Sequence, residues 1–157
     1  MASPRFLADE MVGRLARYLR FVGCDTLYAR GWADERLIEV ARREDRIILT
    51  RDRGLAARAP RSLLLTDVGI EAQWKAVTSN FPDVPRTPQF VRCSLCNGRL
   101  VAYRWAAGDP RPEGVPWERV EAGLALYRCE ECGHLYWPGS HTAQLAATLQ
   151  RWSEASS

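Results

Sequence analysis

Four of the five cysteines form two C-x2-C pairs, and their spacing predicts a metal site. Cys93 and Cys96 make up the first pair, and Cys129 and Cys132 follow after 32 intervening residues. Four thiolates complete the tetrahedral coordination of a structural Zn²⁺ and leave no position for a reactive water. A redox-active dithiol would normally open a helix after a strand, and neither pair has that setting. We therefore expect a zinc ribbon, in which short β-prone segments flank each cysteine turn.

Aspartates form the second group, because at least one follows each predicted strand of the first 80 residues. Asp9, Asp52 and Asp67 come shortly after apolar strands, and Asp34 follows the second strand after a short loop. Parallel strands end on one edge of their sheet, where open α/β folds bind ligands. Converging carboxylates favour Mg²⁺ or Mn²⁺, which prefer oxygen ligands and can activate water toward a phosphate without a histidine. The pattern predicts a site for one or two such cations at this edge.

The aspartates also have an ordinary structural explanation. Asp9, Asp34 and Asp52 stand where predicted helices begin, and Asp is a common N-cap residue. For any one of them alone we favour the helix cap, and for the set we favour the cation site. Glu10 and Glu35, which directly follow two of the aspartates, stay open as further members of the site.

Arginines beside Asp52 are candidates for substrate binding. Arg51 and Arg53 flank it, and each guanidinium can donate two parallel hydrogen bonds to a phosphate. Arg14 is a further candidate, although the solvated face of a helix is the stronger explanation for it. Residues 1–133 contain no histidine. This excludes Ser-His-Asp, Cys-His and paired-histidine catalysis from that part of the chain.

Regular elements must place these groups, and the first 80 residues predict an α/β fold. Short apolar runs alternate there with segments of helical periodicity. We expect a small parallel sheet of about four strands with helices on both faces. The predicted strands cover 5–8, 24–29, 46–50 and 62–66, and the predicted helices cover 10–22, 34–44, 51–59 and 70–80.

Three prolines within residues 82–90 predict a stiff linker and a domain boundary. We divide the chain into an α/β domain over 1–81 and a β-rich zinc ribbon over 91–157, which ends in a helix at 140–153. The composition is that of a globular chain, with 46% apolar and 26% charged residues and a net charge of +3. Without a signal-peptide core or a membrane-spanning run, we expect a cytoplasmic protein.

Four segments carry a resemblance that covers roughly residues 5–145, in the same order in both halves. They are FLADEMVGRLARYLRFVGCDT (6–26), RIILTRDRGL (46–55), CSLCNG (93–98) and CEECGHLYWPGSH (129–141). These segments resemble the Mut-seven C-terminal RNase domain family, in which a PIN-like nuclease fold precedes a zinc ribbon.

The resemblance implies a Mg²⁺- or Mn²⁺-dependent ribonuclease that hydrolyses RNA phosphodiester bonds. It places the catalytic acids on Asp9, Asp34 and Asp52, which would also hold the metal, and it extends loosely to Asp67. The substrate would be single-stranded or structured RNA. The zinc ribbon would orient that RNA or bind a protein partner.

Two other interpretations stay open. In a non-catalytic RNA- or ribosome-binding module, the acidic edge would consist only of helix caps. Aromatic residues such as Tyr103 and Trp105 would then stack on bases. A phosphoacceptor receiver domain also places acids after its first and third strands. It needs a fifth strand followed by a lysine, however, and this chain reaches its proline-rich segment after four strands.

Overall fold

The computed structural model describes residues 3–154 and begins with a four-stranded parallel sheet. The sheet has the order β2-β1-β3-β4, so that β1 and β3 are its central strands. This confirms the predicted fold class. The strands are β1 (Phe6–Asp9), β2 (Thr26–Ala29), β3 (Ile47–Thr50) and β4 (Ser62–Leu64).

Helices connect the strands and cover both faces of the sheet. The predicted helix at 10–22 begins with a 3-10 turn (Glu10–Val12), where the Tyr28 hydroxyl donates to the Glu10 carbonyl at 2.6 Å. No helix within residues 3–154 is both long enough and apolar enough to cross a membrane. The helices of this part are α1 (Gly13–Phe21), α2 (Asp34–Arg43), α3 (Arg53–Arg58) and α4 (Ile70–Asn80).

Strand side chains alternate between two apolar layers, as the pleat of a sheet requires. Phe6 and Leu49 lie in the layer beneath α1 and α4, which also contains the fully buried Trp74. Leu7 and Ile48 lie in the layer beneath α2 and α3. Both faces are covered, and the first three residues of each central strand are accordingly apolar and buried.

The cysteine-containing part forms a second, antiparallel sheet of three strands. Its topology and its cysteine cluster are those of a zinc ribbon, as predicted. A short helix interrupts the connection between the first two of these strands. The elements are β5 (Leu100–Ala102), α5 (Trp117–Glu121), β6 (Tyr127–Cys129) and β7 (Leu135–Tyr136).

The last helix, α6 (Ser140–Glu154), returns to the α/β layer. Its Leu149 is fully buried in the same apolar cluster as Trp74, and the Trp74 indole N–H donates to the Ser153 hydroxyl at 3.1 Å. The sequence groups this helix with the ribbon, but its apolar side chains complete the core formed by α1 and α4.

The proline-rich segment 82–90 is tied to the α/β layer. Val84 is buried in its core, the Arg86 guanidinium donates to the Thr78 carbonyl of α4 at 3.3 Å, and the Gln89 N–H donates to the Phe21 carbonyl. The segment therefore does not extend away from the sheet. A domain boundary at this segment stays a prediction.

Candidate functional site

The four cysteine sulfurs converge on one point. Within residues 3–154 they are the only group of three or more His, Cys, Asp or Glu side chains whose ligand atoms all lie within 4.8 Å of one another. The Sγ atoms of Cys93 and Cys132 are 3.7 Å apart, and those of Cys96 and Cys129 are 3.4 Å apart. A tetrahedral Zn²⁺ with bonds of about 2.3 Å needs separations of about 3.8 Å. The donor set therefore fits a four-coordinate metal ion.

Small residues let the two cysteine turns approach each other. A Cβ atom on Gly98 would lie 2.6 Å from the Cys129 sulfur, so no larger residue fits there without a shift. Asn97 adopts a φ of 69°, a conformation that Asn tolerates better than most residues. The backbone N–H groups of Glu131 and Cys132 donate to the Cys129 sulfur at 3.4 and 3.5 Å.

The cysteine thiols differ in pKa, and therefore in how readily they form the thiolate that binds a metal. Burial opposes ionisation of Cys93, but hydrogen bonds from the Tyr136 hydroxyl and from the backbone N–H groups of Cys96 and Leu95 lower its pKa to about 7. Burial raises the pKa of Cys96 to about 12, and the neighbouring sulfurs, Cys129 first, add to the rise. One thiolate therefore forms readily, whereas the next needs a cation to offset the added charge.

A buried polar network joins the first cysteine turn to the α/β layer. The Asn97 side chain accepts from the Thr26 backbone N–H at 3.0 Å and donates to the Asp25 carboxylate at 2.7 Å. Arg20, which is 6% exposed, donates to the Ser94 carbonyl at 3.2 Å. The cysteine turn is therefore held directly against α1 and β2.

Asp25 is the acidic centre of this network. Burial alone would raise its pKa, but hydrogen bonds from Arg46 and Asn97 and the charges of Arg46 and Arg92 outweigh burial and lower the pKa to about 2. Arg46 is itself only 4% exposed, and its Nη1 lies 2.8 Å from an Asp25 oxygen. The charged form of Asp25 therefore stabilises the folded chain.

We expect Asp25→Asn to lower the free energy of unfolding by about 2 kcal/mol at pH 7, since the pKa falls from 3.8 to about 2 on folding. A carboxyl group whose pKa is lowered on folding stabilises the folded chain at pH values above its pKa in the unfolded chain. This stabilisation is lost as the pH falls through its pKa in the folded chain. The difference from wild type should therefore shrink to about half at pH 3. Urea unfolding at pH 7, 5 and 3 measures it. Asp45→Asn, at an exposed ion pair, is the control, and a difference that grew with acidity would contradict the assignment.

At the carboxyl edge of the parallel sheet, Thr50 connects two of the predicted acids. Its buried hydroxyl donates to the half-buried Asp9 carboxylate at 2.9 Å and accepts from the Asp52 backbone N–H at 3.0 Å. The Asp52 carboxylate caps α3 by accepting from the N–H groups of Gly54 and Leu55 at 2.8 and 3.2 Å. The ends of β1 and β3 are thus held together by one side chain.

The carboxylate of Asp34 forms an ion pair with an arginine. Its carboxylate lies 2.5 Å from the Arg58 guanidinium of α3, which also comes within 4.0 Å of Glu35. The cap of α2 is Ala33, which has no capping side chain. In this structure Asp34 therefore neither caps the helix nor lies with two other acids in one ligand group.

The remaining predicted residues also lie toward this edge. Asp67, which is exposed, follows β4, and its backbone carbonyl accepts from the buried Gln73 amide at 2.9 Å. Arg14 lies in the first turn of α1, where its guanidinium donates to the Tyr18 hydroxyl at 3.3 Å. Arg51 and Arg53 line a cavity next to the end of β4.

Comparison with known protein families decides the classification. A model described as the Mut7-C RNAse domain matches residues 4–149, which is nearly the whole chain. The chain belongs to the Mut7-C RNAse domain family. No curated protein and no solved structure gave a significant match. The family name implies a nuclease-like function, with RNA as the class of substrate.

In this Mut7-C chain the structure adds two residues that sequence reasoning did not select. Thr50 lies between Asp9 and the backbone of Asp52, and Arg58 pairs with Asp34. A polar residue at the end of the apolar run before Asp52 was a usable signal for Thr50. Nothing in the spacing links Arg58 to an acid 24 residues earlier.

Proposed function

We propose that the chain is a Mg²⁺- or Mn²⁺-dependent ribonuclease that cleaves RNA phosphodiester bonds at the carboxyl edge of its parallel sheet. The observation that carries the proposal is the hydrogen-bonded link from Asp9 through Thr50 to the backbone of Asp52. In a member of an RNase family, it ties the Asp9 carboxylate at the end of β1 to the backbone just beyond the end of β3.

The donor set suits the way proteins bind Mg²⁺. This ion usually takes one or two carboxylates and completes its shell with water and substrate phosphates. Asp9 and Asp52 would supply the carboxylates. Asp34 would join them when Arg58 leaves the Asp34 carboxylate and pairs with a substrate phosphate instead. Asp67, which is exposed and follows β4, would lie at the periphery of the site. When bound, the cation would polarise the scissile phosphate and lower the pKa of the attacking water.

The protein's own groups would position the substrate. Thr50 would fix the Asp9 carboxylate, since its hydroxyl holds one of the two oxygens. Arg51 and Arg53 would bind phosphates beside Asp52, and Arg14 would contact the RNA backbone from the first turn of α1. No histidine is needed for these roles.

The cysteine cluster would hold a structural Zn²⁺, and the ribbon would orient RNA or a protein partner. The thiolate donor set and the sulfur spacing support zinc over harder ions. Four of the five cysteines form one metal-ligand group rather than a disulfide framework, which favours the cytoplasm as the location.

Incubation of single-stranded RNA with the zinc-loaded chain tests the proposal. We expect cleavage with added Mn²⁺ or Mg²⁺ and none without them. Binding of RNA without cleavage under any of these conditions would favour the non-catalytic binding module instead.

Thr50→Val tests whether the Thr50 hydroxyl positions the carboxylates that would bind the metal. Valine keeps the volume but leaves the Asp52 N–H without its acceptor and removes one of the two donors to the Asp9 carboxylate, so we expect a loss of about 1–3 kcal/mol of stability. The concentration of Mn²⁺ that half-saturates cleavage should also rise. Thr50→Ser, which keeps the hydroxyl, should restore both values. An unchanged Mn²⁺ dependence in the folded valine variant would contradict the positioning role.

A further inference from the structure

A small polar cavity lies next to Asp52 at the carboxyl edge of the sheet. Its volume is about 220 Å³, and it lies between the residues that follow β3 and the end of β4. Two of its lining residues are arginines, and a third carries a hydroxyl. The lining residues are Arg51, Arg53, Leu64, Leu65 and Thr66.

The two arginines of this cavity have fewer polar partners than the arginines that form ion pairs elsewhere in residues 3–154. The Nε–H of Arg51 is buried and has no hydrogen-bond acceptor. Among residues 3–154, neither Arg51 nor Arg53 has an ion-pair partner, whereas Arg46 and Arg58 each pair with an aspartate. A buried donor without an acceptor costs free energy, and an oxygen ligand placed beside it would remove that cost.

No acidic side chain neutralises the cavity from within. The neighbouring Asp52 is not one of its lining residues, and its Oδ1 accepts from the Gly54 and Leu55 N–H groups of α3. Within the described part of the chain, the cavity is therefore lined by two arginines and by no carboxylate residue. This arrangement favours an anion with about two negative charges.

We propose that this cavity binds the terminal phosphate of an RNA chain. A terminal phosphate carries about −1.5 to −2 charges and three free oxygens at neutral pH, whereas an internal diester carries one charge and two free oxygens. Two bidentate guanidinium groups and the Thr66 hydroxyl match the terminal group better. The proposal rests on the proposed ribonuclease function for its substrate class and adds that the enzyme anchors RNA by a phosphorylated end.

Binding measured without added divalent metal tests this, because nothing is then cleaved. Decamer RNAs with a 5′-phosphate, with a 3′-phosphate or with hydroxyls at both ends would be compared by fluorescence polarisation. We expect one phosphorylated form to bind about tenfold more tightly than the hydroxyl form, which is the usual effect of one charged hydrogen bond. Inorganic phosphate should abolish the difference.

Arg51→Met should bind all three RNAs with the affinity of the hydroxyl form, and Arg53→Met should weaken the preference. Arg42→Met, in the last turn of α2, removes the same charge from the other edge of the sheet and should keep the preference. Equal binding of the three RNAs by the wild type would overturn the proposal, as would a preference that persists in folded Arg51→Met. RNA cleavage without a preference for phosphorylated ends would refute this inference and leave the proposed ribonuclease function standing. A preference for phosphorylated ends without RNA cleavage would refute the ribonuclease function and leave the binding of a terminal phosphate standing.

Discussion

Asp52→Asn is expected to lower the rate of metal-dependent RNA cleavage by about a hundredfold or more, which corresponds to roughly 3 kcal/mol of lost transition-state stabilisation. Asparagine caps helices about as well as aspartate, so the hydrogen bonds to the α3 backbone should survive. The variant should therefore unfold close to the wild-type urea midpoint while it loses a charged metal ligand. Single-turnover cleavage at saturating Mn²⁺ measures the effect.

Asp83→Asn is the matched control for this substitution, because Asp83 is an exposed carboxylate away from the sheet edge. It should cleave at the wild-type rate. Equal rates for wild type and folded Asp52→Asn would show that the cleavage does not use this edge, whatever its metal dependence.

Cys129→Ser is expected to abolish zinc binding and to unfold the ribbon sheet. Structural zinc sites contribute on the order of 10 kcal/mol to the folding of small zinc domains. The ribbon has a much smaller apolar cluster than the α/β layer, centred on Cys93, Leu100 and Cys129 themselves. Hydrogen exchange should therefore become fast for the amides of β5, β6 and β7.

The same variant should weaken the α/β layer, since the first cysteine turn supplies partners to its buried groups. Without that turn, Arg20 loses the Ser94 carbonyl and Asp25 loses the Asn97 amide. Zinc content by mass spectrometry and exchange in α1 and β2 measure both effects. Cys24→Ala, at a buried thiol outside the cluster, should keep one zinc per chain. A folded ribbon in zinc-free Cys129→Ser would contradict the structural role of the metal.

The architecture was predictable because its signals are local. Apolar runs such as 46–50 stand between segments of helical periodicity, and this alternation leaves few arrangements other than a parallel sheet with two helical layers. The same reasoning placed Asp9 and Asp52 at one edge, because Asp9 ends β1 and Asp52 comes two residues after the end of β3. The two cysteine pairs were equally readable, since zinc ligands recur at a short fixed spacing.

Tertiary partners were not predictable. The apolar face of α6 shows that it needs a packing partner, but periodicity does not show that Leu149 joins Trp74 in the α/β core. Likewise, Asp34 stands at a helix start, yet Arg58 takes its carboxylate. Such contacts depend on the distance between side chains in the folded chain rather than on their order in the sequence.

The most direct test of the central claim is a Mn²⁺ titration of RNA cleavage by wild type and Asp9→Asn, both loaded with zinc. Asparagine can still accept from the Glu10 N–H, as the Asp9 carboxylate does at 2.8 Å, so the local turn should persist. If the carboxyl edge holds the catalytic metal, the half-saturating Mn²⁺ concentration should rise about tenfold or more in the variant. Equal half-saturating concentrations in the two proteins, or cleavage that needs no added metal, would contradict the account.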